Sequence, residues 1–133
     1  SFMATIKRFE DLEIWLEARR LSQEIIKLSQ TTDLKTDFRL KAQIKASSGS
    51  VMDNIAEGFE RNGNAEFNNF LSIAKGSAGE TRSQLYTVFD NGYIDEKTLE
   101  VLKSNYENLS IKINNFMKYL SNNDFKGTKF IKS

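Results

Sequence analysis

Phe67, Leu71, Ala74, Ala78, Thr81, Leu85 and Val88 recur at alternating steps of four and three residues. This is a heptad seam, and it forms one continuous stripe only on an α-helix packed against other helices. Three further segments repeat apolar residues at helical spacing, and the chain contains no proline to interrupt any of them. The economical fold is therefore all-α, with no strand required.

The first helix is expected from about Asp11 to Leu28. Ile14, Ala18, Leu21, Ile25 and Leu28 share one face, Leu12, Trp15 and Leu16 widen it, and Glu13, Glu17, Arg20 and Glu24 form the polar side. Ser29 to Asp37, rich in Thr and Asp, reads as a loop. A second helix follows with the stripe Leu40, Ile44, Ser47, Val51 and Ile55, and Gly58 is its expected end. The heptad helix starts after Gly63-Asn64 and closes at Asn91-Gly92. In the fourth helix Asp95 is placed to cap the N-terminus, Ile94 and Leu99 hold the positions of a hydrophobic staple, and Leu99, Leu102, Tyr106, Leu109, Ile113, Phe116 and Leu120 form the seam. Short connections make neighbours antiparallel, so the expectation is an antiparallel up-and-down four-helix bundle over residues 3–120 as a single domain. Residues 121–133 form a polar, basic tail with isolated Phe125, Phe130 and Ile131. Ser1 and Phe2 ahead of Met3 read as vector-derived.

A chain of 133 residues buries about two thirds of its unfolded surface without a disulfide or metal. It has no cysteine and no histidine, which removes thiolate nucleophiles, Ser-His and Cys-His arrangements, and the Glu-x-x-His pairs of di-metal bundles. Gly76-Ser77-Ala78-Gly79 sits inside a helix with no preceding strand, so it is not a phosphate loop. No enzyme, cofactor or metal is expected, the weak exception being a carboxylate site if Glu57 and Glu80 faced each other. No apolar run approaches the ~20 residues of a membrane span, and the absence of cysteine fits a cytoplasmic protein.

Asn54-Ile55-Ala56-Glu57-Gly58 places an amide and a carboxylate in an apolar stripe. Asn54 is expected to be satisfied by backbone carbonyls. Glu57 is expected to pair with Lys45, Arg61 or Arg82 and to orient the second helix against the third. The small cluster Ala46-Ser47-Ser48-Gly49-Ser50 is expected to face Gly76-Ser77-Ala78-Gly79, within the chain or across subunits, so that leucine at Gly49 or Gly76 disrupts packing.

Phe9-x-Asp11-Leu12-x-Ile14-Trp15, Leu40-x-x-Gln43-Ile44-Lys45, Ser50-x-x-x-Asn54-Ile55-Ala56-Glu57-Gly58 and Glu66-Phe67-x-x-Phe70-Leu71-x-Ile73-Ala74-x-Gly76-Ser77-x-x-Glu80 follow one another along the chain. In this order they resemble the four-helix bundle proteins encoded within intervening sequences of bacterial 23S ribosomal RNA genes, to which the accessory variability determinant of diversity-generating retroelements looks related. The resemblance implies a homopentamer of bundles around a central channel, no enzymatic activity and, in the retroelement branch, nucleic acid and a reverse transcriptase bound through basic residues. It also marks Asn54, Glu57, Gly58, Gly76, Ser77 and Glu80 as motif positions. This chain departs from the pattern where Ala46 follows Lys45 in place of a second basic residue, and in lacking a proline in the first loop.

The net charge is only +1, but it is unevenly spread, with one basic cluster leading into the second helix and another in the lysine-rich C-terminal end. A non-enzymatic oligomeric scaffold is expected to contact structured RNA, or an RNA–protein partner, through Lys35, Arg39, Lys41, Lys45, Arg61 and Lys75. A module that binds only protein, through an exposed seam or the tail, is the alternative.

Overall fold

A computed structural model describes residues 6–123 of the chain. A 3-10 turn at Phe9–Asp11 leads into α1 (Glu13–Thr31), and a second 3-10 turn at Asp33–Thr36 leads into α2 (Phe38–Glu60), α3 (Asn64–Asp90) and α4 (Glu96–Asn122). Each helix packs on the next and α4 packs back on α1, giving the up-down-up-down bundle.

The heptad residues of α3 are all buried, as are Leu40, Ile44, Ser47, Val51 and Ile55 of α2. Burying such aliphatic and aromatic side chains contributes about 1.5–3 kcal/mol each, the main force holding the bundle. Phe67 stands edge-on to both Phe59 and Phe116, closing one end of the core. On α1 the stripe narrows: Leu16, expected to widen it, is exposed, while Ser22 and Ser29 are buried. Leu16 lies two positions from both Ile14 and Ala18, and about 100° of rotation per residue carries it away from their face.

Helix ends are settled by local chemistry. Asp37 caps α2 by accepting from Leu40 N at 3.2 Å, and Asp95 caps α4 by accepting from Thr98 N at 2.8 Å. At the end of α3, Gly92 N–H donates to Phe89 O and Tyr93 N–H to Val88 O, the paired bonds of a Schellman motif. That motif needs the positive φ of 79° which Gly92 adopts. α1 runs through Thr31, beyond the expected Leu28, and the segment expected as a loop contains a 3-10 turn whose Leu34 is fully buried.

Gly58 does not end α2, which continues through Glu60. A Cβ on Gly58 would come within 2.7 Å of Phe70 Cβ and 2.8 Å of Phe67 Cδ1, so glycine is required there by close helix contact. Gly49 and Gly76 are different. An added Cβ on either meets nothing within 4 Å, so neither glycine serves α2–α3 packing within the chain.

The far end of α4 is capped across the bundle. Asn64 Nδ2 donates to the carbonyls of Leu120 and Asn123, and Asn68 Nδ2 donates to Met117 O and Ser121 Oγ, so α3 supplies partners that the last turn of α4 cannot find in itself. α4 extends through Asn122, past the expected start of the tail; Phe125, Phe130 and Ile131 lie outside the described residues.

Candidate nucleic-acid interface

Of the motif residues, Asn54, Gly58 and Ser77 lie on the α2–α3 seam, while Glu57, Gly76 and Glu80 are exposed. Ser47 Oγ donates to Gln84 Oε1 at 2.6 Å and accepts from Thr81 Oγ1 at 2.9 Å, while Ser50 and Ser77 share a hydroxyl bond at 2.8 Å. Asn54 Nδ2 donates to Ser50 O at 2.8 Å and Ser50 Oγ at 2.9 Å, so its amide is tied within α2. Ser47 and Ser50 thus make a polar ladder to α3, which Asn54 joins only through Ser50.

The two carboxylates do not meet in a shared site, although Glu80 accepts from Gln84 Nε2 at 3.4 Å. Glu80 is exposed next to Thr81, at the level of Ser47, whereas Glu57 lies about two turns beyond Ser50. They therefore do not face each other, and among the described residues no group of three or more carboxylates could hold a metal ion. Glu57 pairs with Arg61 at 3.1 Å, but both are exposed on the same helix end, so the pair does not orient α2 against α3. Arg61 also lies over the Phe70 ring at 5.0 Å.

The basic residues expected to act together occupy separate places. Lys35 and Lys41 meet at the start of α2, where Lys41 Nζ donates to Lys35 O at 3.2 Å, and Lys45 follows one turn along the same side. Lys41 also rests over the Phe38 ring at 5.3 Å, and that ring is 73% exposed. Arg39, two positions from Lys41, points to the opposite flank. Arg61 stands about 30 Å along the helix axis from Lys41. Lys75 lies in the α3–α4 groove, donating to Asn114 Oδ1 at 3.3 Å. Of the six, Lys41 and Lys45 thus share a flank, and Lys35 is joined to Lys41 through its main-chain carbonyl.

One residue that the sequence reading leaves out, Arg19, lies on the flank of α1 that faces theirs. Ser47 and Ser50 turn one flank of α2 toward α3, which leaves the Lys41 and Lys45 flank toward α1. On α1, Glu13 bonds Lys112 of α4 at 2.9 Å, so the flank carrying Trp15 and Arg19 faces α2. The Arg19 guanidinium lies 5.9 Å from the Trp15 ring centroid, and Phe9 meets Trp15 edge-on. A signal for it does exist: Arg19 follows the core residue Ala18 by one position, on the side away from Glu13, Glu17 and Glu24.

Other cations are neutralised in place. Arg20 pairs with Glu17 at 2.8 Å, and this hydrogen bond holds the Glu17 carboxyl below its usual range. Lys112 is raised by its bond to Glu13, and Lys103 by its bonds to Tyr86 and Glu100. Among the described residues, no carboxylate lies within ion-pair distance of Arg19, Lys35, Arg39, Lys41 or Lys45.

Residues 10–115 match the model of the 23S rRNA-intervening sequence protein family. The chain belongs to that family. Among solved structures it is similar to a protein of unknown function from the S23 ribosomal protein family of Bacteroides thetaiotaomicron VPI-5482, at 22% identity over 79% of this chain and 95% of that one, with a TM-score of 0.73. At that identity the likeness establishes the shared fold. No curated protein matches this 23S rRNA-intervening sequence protein. No helix among its described residues is long and apolar enough to cross a membrane.

Proposed function

We infer that this intervening-sequence protein is a non-enzymatic oligomeric scaffold of the cytoplasm that contacts structured RNA, or an RNA–protein partner, through the basic start of α2. The observation that carries this reading is the cluster of Lys35, Lys41 and Lys45 at the start of α2, to none of which a carboxylate is paired among the described residues. Such cations are available to replace the counterions of a phosphate backbone. The family description, which connects its members with intervening sequences of 23S rRNA, supports RNA as the partner.

Three lysines on one chain bind weakly at physiological salt, and repetition around a ring, as in the pentamer that the resemblance implies, multiplies the patch. Sedimentation velocity tests the assembly, with a monomer at micromolar concentration as the opposing result. Lys41→Glu with Lys45→Glu should weaken binding of an RNA hairpin evenly across sequences, read by mobility shift. Unchanged affinity would remove these residues from the interface.

A protein-only module is favoured by one specific feature: Val101 and Ile111 are both more than half exposed on α4. Binding through these apolar side chains would persist as salt rises, which separates the two readings.

A further inference from the structure

We propose that the outer groove between α1 and α2 is a track for the phosphodiester backbone of nucleic acid, built by Arg19 on one wall and Lys41 and Lys45 on the other, with Trp15 at its end. This rests on the RNA-binding reading above and names its site.

Three observations support it. First, the α1 flank from Trp15 to Gln30 and the α2 flank from Lys41 to Ala56 carry no carboxylate on the sides that meet. The exposed Asp53 lies about 80° around α2 from Lys45, away from α1. At the groove's ends Glu10 and Asp11 lie against Arg8 and Asp37 accepts from Leu40 N and Tyr93 Oη, while Asp33 and Glu60 are exposed outside the stretch that carries Arg19, Lys41 and Lys45. Second, the cations are held without being neutralised. Arg19 leans on the Trp15 face, and Lys41 rests over the Phe38 ring and donates to Lys35 O, contacts that limit their freedom without pairing either charge with a carboxylate. Third, Gly49 opens the outer side of α2 beside Lys45, where an added Cβ would meet nothing within 4 Å. A bulky backbone can therefore approach closely. The α2–α3 seam is a contrasting surface, with Glu57, Glu66 and Glu80 exposed on its two helices.

The occupant is a polyanion with regularly spaced charges, recognised by its backbone, because the groove offers cations and few groups suited to base edges. A guanidinium over an indole also gives an unstacked base a ring to lie against.

Trp15 is the only tryptophan in the chain, so its emission reports on this groove alone. The full chain is titrated with an RNA hairpin, a single-stranded RNA of the same length, and heparin, following Trp15 emission and the anisotropy of the labelled nucleic acid together. The wild type should show both signals moving in step. In Arg19→Glu/Lys45→Glu the affinity should fall on the order of tenfold and the salt slope by about 2, close to 0.9 for each phosphate that no longer meets a cation. Lys75→Glu/Arg82→Glu, in the α3–α4 groove, serves as the control and should bind nearly as the wild type. If RNA binds but Trp15 is silent and the Arg19/Lys45 variant is unaffected, the groove assignment is overturned while RNA binding stands. If neither RNA binds at low salt, the RNA reading falls and the groove with it. Heparin binding alone, without either RNA, also overturns the proposal.

Discussion

A Cβ on Gly58 would sit 2.7 Å from Phe70 Cβ, an approach that two side chains cannot share, so this residue sets how closely α2 and α3 pack. Phe70 Cβ is fixed to its own helix and cannot swing aside. Gly58→Ala should therefore destabilise the bundle by about 1–3 kcal/mol. Gly76→Ala and Gly49→Ala, in open space, should stabilise it by roughly 0.5–1 kcal/mol through helix propensity. Urea denaturation of the three variants checks both signs; equal effects would dissolve the distinction.

Asp37 joins two distant parts of the chain by capping α2 and accepting from Tyr93 Oη at 2.8 Å. Asp37→Ala should cost about 1–2 kcal/mol. Tyr93→Phe should cost less, and the double variant should fall short of the sum, because both changes remove one bond. A double-mutant cycle by thermal melting measures this.

Tyr106 is buried and its hydroxyl has no hydrogen-bond partner among the described residues. Tyr106→Phe should raise stability by about 1 kcal/mol, since a buried unpaired hydroxyl is a cost that the apolar ring avoids. Burial also pushes the Tyr106 phenol up, and the hydrogen bond to Asp37 raises Tyr93. Above pH of about 10 the unfolded chain ionises these phenols and the folded chain does not, so the folded state holds more protons. Their contribution is complete below that pH and is lost as pH climbs toward the raised folded values. Stability should fall with alkaline pH, less steeply in Tyr106→Phe, as followed by denaturation at stepped pH.

The core is legible in the sequence because seams such as Phe67 to Val88 in α3 repeat without interruption, and period alone fixes which residues face inward. Leu16 misleads because apolar character does not reveal which side of a helix meets a neighbour. Gly58 stands out as a special position, but the reason for it, the Phe67 and Phe70 side chains of the facing helix, is a tertiary contact that no local signal carries. The basic cluster reads as one group along the chain, where Arg39 and Lys41 are neighbours, although rotation of about 100° per residue separates them. Arg19 escapes notice for the same reason: its companions lie on another helix.

The salt dependence of RNA-hairpin binding, measured by fluorescence anisotropy per chain from low to physiological salt, bears most directly on the role inferred for this protein. Affinity that falls linearly in log–log form, with a slope shallower by roughly 0.9 for each reversed cation among Arg19, Lys41 and Lys45, is the expected result. No binding at low salt, or binding indifferent to salt, would contradict an RNA-contacting scaffold.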